Sequence, residues 1–366
     1  MLYYLSFYRD IFGPLRLFDQ VTFRAGGALI TSMVLCFLLG PVTVKLLKRF
    51  RAQAPTRLEG LVPEEFIDRE KDKTPSMGGL LIVTSIALST VLWAMLSNPL
   101  VMVFLATLLS YAALGFLDDY IKIAYKNRGG VPGKIKLLWQ FAIAAAAIYF
   151  LDSVLEGDYQ LGQLLVPFIK DPVYVSSSFL LMLAFTSLVV VGSSNAVNLT
   201  DGKDGLAVGA TIFCVLTYGA IAYLCGHKIF AGYLNIPFIP GASEVVVFAA
   251  AITGACIGFL WYNCYPASMF MGDTGSLALG GTIGLIAVLV KQEVTLLIVG
   301  GVFVMEAVSV MIQVASFKLF GKRVFLCTPI HHHFERKGWT ETQIVVRFWI
   351  LSGIFALLGM ATLKLR

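Results

Sequence analysis

The sequence predicts an all-α polytopic membrane protein of about ten transmembrane helices, with both termini outside. Three observations lead there. The 366 residues are 58% hydrophobic and only 14% charged, with a mean hydropathy of +0.81, whereas a soluble domain is about a quarter charged. Ten apolar runs are each long enough to cross a hydrocarbon core of about 30 Å. Lys and Arg alternate between connections: those after the odd runs carry 18, and the remaining connections with both termini carry 8. The positive-inside rule then puts the odd connections in the cytoplasm.

The runs lie at 25–47, 77–96, 99–117, 136–151, 176–198, 205–225, 244–262, 275–290, 294–317 and 343–363. Lipid gives the backbone no hydrogen-bond partner, so helices are the expected form. The fourth and eighth runs are the short ones. The whole of 1–366 reads as a single integral membrane domain. Six scattered cysteines form no Cys-x-x-Cys pair, so neither a disulfide framework nor a zinc site is indicated. The net charge of +6 comes without a basic helix or aromatic platform, and nucleic acid is not an expected partner.

Chemistry concentrates in the connections assigned to the cytoplasm. Residues 188–209 read LVVVGSSNAVNLTDGKDGLAVG, placing Asn195, Asn198, Asp201, Lys203 and Asp204 between two apolar runs. Polar groups so placed are costly unless partnered, and they mark functional sites by default. The amides sit three apart, as do the carboxylates, so each pair shares a face on helical turns.

The third run ends in Asp118-Asp119, followed by Lys122, Lys126, Arg128 and Lys134. Two carboxylates at a helix C-terminus oppose the macrodipole and repel each other. Compensation must come from Lys122 or from a divalent ion, and paired carboxylates with no His or Cys beside them suit Mg²⁺. Gly272-Asp273-Thr274-Gly275-Ser276 opens the eighth run, where Asp273 is either an N-cap or, with Asn263 and Phe270 nearby in sequence, part of a metal or phosphate site. Lys73 abuts the second run, as a phosphate-binding cation or as a snorkelling interfacial lysine. The ninth run carries Glu306, Ser309 and Gln313 on one face, with Gly300-Gly301 able to let it bend. His331, His332 and His333 are consecutive in the last such connection. Three adjacent imidazoles cannot converge on one ion from a helix face, which leaves phosphate or sugar contacts alongside metal binding.

Asp118-Asp119, Asn198-Leu-Thr-Asp201-Gly-Lys-Asp204-Gly-Leu, Met271-Gly-Asp273-Thr-Gly-Ser and His331-His-His-Phe-Glu occur in this order. Together they resemble the polyprenyl-phosphate N-acetylhexosamine-1-phosphate transferases. The His331 run and Lys73-Thr-Pro-Ser-Met-Gly-Gly are most similar to the phospho-N-acetylmuramoyl-pentapeptide transferases within that superfamily.

The resemblance implies transfer of a phospho-sugar peptide from UDP-N-acetylmuramoyl-pentapeptide to undecaprenyl phosphate at the inner face of a bacterial inner membrane. The products would be lipid I and UMP, with Mg²⁺ as cofactor. A sister transferase using UDP-N-acetylglucosamine is the alternative. By resemblance, Asp118, Asp119, Asp273 and His331 to His333 would be catalytic. The metal would lie on Asp273 with Asp201 or Asp118. Lys122, Lys126 and Lys134 would bind the lipid phosphate or diphosphate. Lys73, Asp204, Asn263, Phe270 and Gln313 would line the uridine-diphosphate pocket, with Asn195 and Asn198 nearby. The lipid bilayer is the surrounding medium, and a homodimer is an assembly left open.

Overall fold

The computed structural model describes residues 1–50, 74–125, 129–155 and 161–364. Lys73, Lys126, Arg128 and the acidic stretch 59–72 lie outside them. After two 3-10 turns, the helices are α1 (Val21–Arg49), α2 (Gly79–Trp93), α3 (Pro99–Ala124), α4 (Gly133–Val154), α5 (Phe179–Thr200), α6 (Leu206–Cys225), α7 (Lys228–Leu234), α8 (Val245–Asn263), α9 (Gly272–Leu289), α10 (Leu296–Val299), α11 (Gly301–Phe320), α12 (Ile330–Arg336) and α13 (Glu341–Thr362). Gln163–Leu164 and Tyr174–Val175 form a short antiparallel pair between α4 and α5. Among the described residues, nine helices are long and apolar enough to cross a membrane.

The ten expected runs reappear as helices, with two differences. The short one is α2, with 15 residues, rather than the fourth or eighth. Its entry stays extended because backbone groups bond elsewhere: Phe270 N–H donates to Pro75 C=O, Gly78 N–H to Phe270 C=O and Gly79 N–H to Met271 C=O, each at 2.8 Å. The ninth run is not one helix. It breaks at Gly300 into α10 and α11, at the Gly300-Gly301 pair where a bend was expected.

α9 is the axis of the bundle. Every residue from Asp273 to Leu289 is buried, and α5 and α3 pack most extensively against it. Ser194 Oγ donates to Leu277 C=O at 3.0 Å, tying α5 to α9. A helix apolar on all sides reads as fully enclosed, as this one is. α1 and α8 run side by side in the same direction, with the Tyr262 hydroxyl donating to Phe37 C=O.

Caps set several boundaries. Asn98 accepts from Leu100 N–H at the start of α3, and Thr340 with Gln343 forms a capping box on α13. Because successive long helices alternate in direction, the C-terminal ends of α3, α5, α8 and α11 meet the N-terminal ends of α4, α6, α9 and α13 at one end of the bundle.

Candidate active site

Three carboxylates converge at that end. Asp118, Asp119 and Asp273 are all buried, and one oxygen from each lies within 4.8 Å of the others. Two lysines enter the same space. Lys122 Nζ is 2.5 Å from Asp118 and 3.0 Å from Asp273. Lys136 Nζ is 3.3 Å from Asp118 and also pairs with Asp273. Among the described residues, the cluster sets three carboxylates against two ammonium groups.

The two adjacent aspartates do different work. Asp119 lies near the C-terminus of its own helix but accepts from the N-terminus of α9: Asp273 N–H at 3.2 Å, Thr274 N–H at 2.9 Å and Thr274 Oγ1 at 2.7 Å. The dipole that is unfavourable in α3 is thereby matched by a favourable one in α9. Asp118 instead accepts from Val131 N–H at 2.8 Å and from the two lysines. The structure thus resolves the dipole conflict anticipated for the pair, Lys122 acting one turn below Asp118.

Two glycines make this packing available. Gly130 (φ +59°) and Gly272 (φ +74°) adopt left-handed backbone, which costs L side chains but not glycine. A Cβ on Gly130 would sit 2.5 Å from Asp118 Oδ1, and one on Gly272 would sit 2.8 Å from Asp119 Oδ2.

Lys136 and Gln140 carry weight that the sequence reading did not assign. Lys134, which it did assign, is exposed at the start of α4. Two residues apart on a helix means opposite faces, so only one of Lys134 and Lys136 can turn inward, and the packing of α4 selects Lys136. One turn further, Gln140 exchanges hydrogen bonds with Asn195 at 2.8 and 3.4 Å, and Asn195 also donates to Val191 C=O. The sequence signal was the Lys136–Gln140 spacing of four, which places both on one face.

The second group of predicted residues surrounds the α5–α6 junction. Asp204 Oδ2 accepts from Ala267 N–H at 3.0 Å. Asn263 Oδ1 accepts from Gly205 N–H, and its amide donates to Met269 C=O, both at 3.0 Å. Asn263 and the 264–271 segment therefore connect this junction directly to Asp273, and Phe270 lies on that segment. Asn198 and Asp201 are half-buried at the end of α5, where Asn198 C=O accepts from Asp201 N–H. Asp201 is not among the carboxylates grouped with Asp273, whereas Asp119 is. The Gln313 carbonyl accepts from Val324 and Phe325 N–H at 3.0 Å, so its amide organises the turn after α11.

The three histidines occupy α12 and point to three different partners. His331 is fully buried, with Nδ1 3.0 Å from Glu306 Oε2 and its ring lying over Gly202. His332 Nδ1 is 2.9 Å from Glu335 Oε2. His333 Nδ1 accepts from Leu326 N–H at 3.1 Å. Each imidazole thus has its own protein partner in this arrangement. Burial pushes the His332 imidazole below its ordinary value. The His332 hydrogen bond and the Lys203 ammonium, 2.5 Å away, hold Glu335 down at about 2.

Chemically, the acidic group offers hard oxygen donors without thiol or imidazole, which fits Mg²⁺ better than a transition metal. Asp119 is already engaged by α9, so Asp118 and Asp273 are the two oxygens best placed to hold an ion. The lysines beside them suit phosphate oxygens.

Comparisons with known proteins agree with this chemistry. Residues 101–291, which span both carboxylate motifs, match the family described as Glycosyl transferase family 4. The chain is 47% identical over 367 residues, covering all of both proteins, to the phospho-N-acetylmuramoyl-pentapeptide-transferase of Methylacidiphilum infernorum (isolate V4). Identity at that level over the full length shows that this chain belongs to the phospho-N-acetylmuramoyl-pentapeptide transferases, membrane enzymes of glycosyl transferase family 4.

Proposed function

We propose that this enzyme transfers phospho-N-acetylmuramoyl-pentapeptide from its UDP-linked donor to undecaprenyl phosphate, giving lipid I and UMP on the cytoplasmic face of a bacterial inner membrane. The observation that carries the reading is the charge arrangement of Asp118, Asp119, Asp273, Lys122 and Lys136 at the junction of three helix ends. Exchange of one diphosphate linkage for another needs charge neutralisation and positioning more than covalent help.

Asp118 and Asp273 would hold a Mg²⁺ ion, which when bound supplies neutralisation of the donor diphosphate. Lys122 and Lys136 bind the acceptor phosphate. An oxygen of that phosphate attacks the sugar-bearing phosphorus of the donor, the bond to the UMP oxygen breaks, and UMP departs with the electron pair. The acceptor phosphate is anionic at neutral pH, so Asp118 positions it rather than deprotonating it. Asp204, Asn263 and Phe270 bound the uridine side, and His331 to His333 approach the diphosphate or sugar from α12.

The test is UMP release by purified protein in detergent with donor, acceptor and divalent ion varied singly. Release that requires undecaprenyl phosphate and Mg²⁺ together, with lipid I as the lipid product, is the expected result. Release without acceptor, or preference for UDP-N-acetylglucosamine, would overturn the assignment.

A further inference from the structure

One buried carboxylate has no part in the transfer reaction as described. Glu306 lies in the second turn of α11 and is fully buried. A carboxylate enclosed in a membrane-spanning helix is costly unless it is partnered. Its side-chain partner among the described residues is His331, whose Nδ1 lies 3.0 Å from Glu306 Oε2. The backbone N–H of His331, in the first turn of α12, donates to the same oxygen at 3.4 Å. An ionised carboxylate only accepts, so Nδ1 is committed as the donor of this pair. The other ring nitrogen is left over: Nε2 is buried and has no hydrogen-bond partner among the described residues.

Nε2 turns toward the α5–α6 junction. A Cβ on Gly202 would stand 2.5 Å from it. Gly202 is not one of the glycines with left-handed backbone, so the close ring, rather than the turn, requires glycine there. Gly202 lies between Asp201 and Lys203, in the junction that Asp204 and Asn263 tie to the connection before Asp273. The other two imidazoles are placed differently. His332 pairs with Glu335, which is half exposed and shared with Lys203, and His333 uses Nδ1 to accept from Leu326 N–H. Of the three, His331 alone joins a fully enclosed carboxylate to a buried, unpartnered nitrogen.

We infer that Glu306 is a positioning residue for the transfer reaction. It holds the His331 ring from inside the bundle, fixes Nδ1 as a hydrogen-bond donor and presents Nε2 to the phospho-sugar of the UDP-linked donor. The bond made by one ring nitrogen sets the state of the other, which is how carboxylates behind active-site histidines act. The inference rests on the transferase reading proposed above and adds an intramembrane residue to it.

The test is a double-mutant cycle read by UMP release. Glu306→Ala is expected to lower kcat about ten- to a hundredfold, the scale of losing a residue that orients an active-site group. The KM for the UDP-linked donor stays within about twofold of the parent value. Glu306→Gln still offers Nδ1–H an acceptor and recovers part of the loss. In a His331→Asn chain, Glu306→Ala causes no further loss. Gly202→Ala displaces the Nε2 edge of the ring while leaving Glu306 intact, and lowers kcat similarly. Ser309→Ala removes a hydroxyl that donates to Glu306 C=O and keeps the parent kcat. Losses that multiply in the double variant overturn the proposal, as does unchanged kcat in Gly202→Ala. So does a fall in Ser309→Ala equal to that in Glu306→Ala, which would leave Glu306 a support of the fold alone.

Histidine nitrogen-15 spectra of the full chain in detergent read the pairing without turnover. The His331 signals, identified by their loss in His331→Asn, are expected to show a protonated Nδ1 in the parent and an exchange-averaged ring in Glu306→Ala. A bare Nδ1 in the parent overturns the proposal. If the parent releases no UMP with any acceptor while the spectra are as expected, the transferase reading fails and the Glu306–His331 pairing stands. Acceptor-dependent UMP release with multiplying losses is the reverse result: the transferase reading stands and the positioning role fails.

Discussion

The two ends of the helix bundle both bury ion pairs, and they build them differently. At the end away from the site, Arg24 meets Glu244 in a bidentate pair at 2.5 and 2.6 Å, and Met95 N–H adds a third bond to the same carboxylate. Lys291 pairs with Glu293 and donates to Leu161 C=O at 2.7 Å. Each cation there has one carboxylate partner. At the site end, Lys122 and Lys136 are each shared between Asp118 and Asp273, and a third carboxylate stands within reach. The balanced pairs fasten α1 to α8 and close the turn after α9. The cluster at the site end divides each cation between two carboxylates, which suits an exchange of partners with a metal and phosphates. If the acidic cluster is the catalytic centre proposed above, stability and chemistry are separated along the bundle axis.

Breaking each end should therefore produce opposite phenotypes. The largest effect is expected at the site: Asp273→Asn and Asp118→Asn should lower kcat about a thousandfold, the scale of losing a group aimed at developing charge. Thermal unfolding should shift little, because each lysine keeps its other carboxylate partner. A UMP-release assay alongside a melting curve reads both. Glu244→Gln is the converse. It strands Arg24 in the interior, at a cost of about 3–5 kcal/mol, and should shorten the half-life of the folded protein on heating while leaving the kcat of the surviving fraction near normal.

Lys136→Met comes next. It should raise the KM for the acceptor by about ten- to a hundredfold, with partial recovery in Lys136→Arg and little change in donor KM. The smallest effect concerns acid. Glu335 is held at about 2, below its ordinary value of about 4.5. Its contribution to stability is therefore complete above about 4.5 and is lost as the pH falls toward about 2. His332, pushed down by burial, works in the same direction, since its unfolded form takes up a proton at higher pH than its folded form. Glu335→Gln should flatten the decline of melting temperature between pH 5 and 3, measured against the parent chain in the same detergent.

Much of this organisation was legible in the residues. Membrane passes follow from apolar length alone, and Asp118, Asp119, Asp273 and Lys122 stood out as charges that such a setting must partner. The division of labour within Asp118-Asp119 was not legible, because it depends on α9 presenting its N-terminus to one of them. Lys136 was hidden by its neighbour Lys134, since the phase of α4 against α3 decides which faces inward. The Arg24–Glu244 pair joins residues 220 positions apart, and no local pattern announces it. The bend at Gly300 was readable, but the extended entry to α2 was not, because its partners lie in the segment before α9.

Divalent-ion binding decides most directly whether the acidic end is the catalytic centre. Mn²⁺ would be titrated into purified protein without substrates and followed by electron paramagnetic resonance, comparing the parent chain with Asp273→Asn, Asp118→Asn and Glu244→Gln. The expected result is one bound ion in the parent and in Glu244→Gln, and severely weakened binding in both aspartate variants. Undiminished binding in Asp273→Asn and Asp118→Asn would contradict the assignment of the metal to this cluster, and with it the division of the molecule into a structural end and a chemical one.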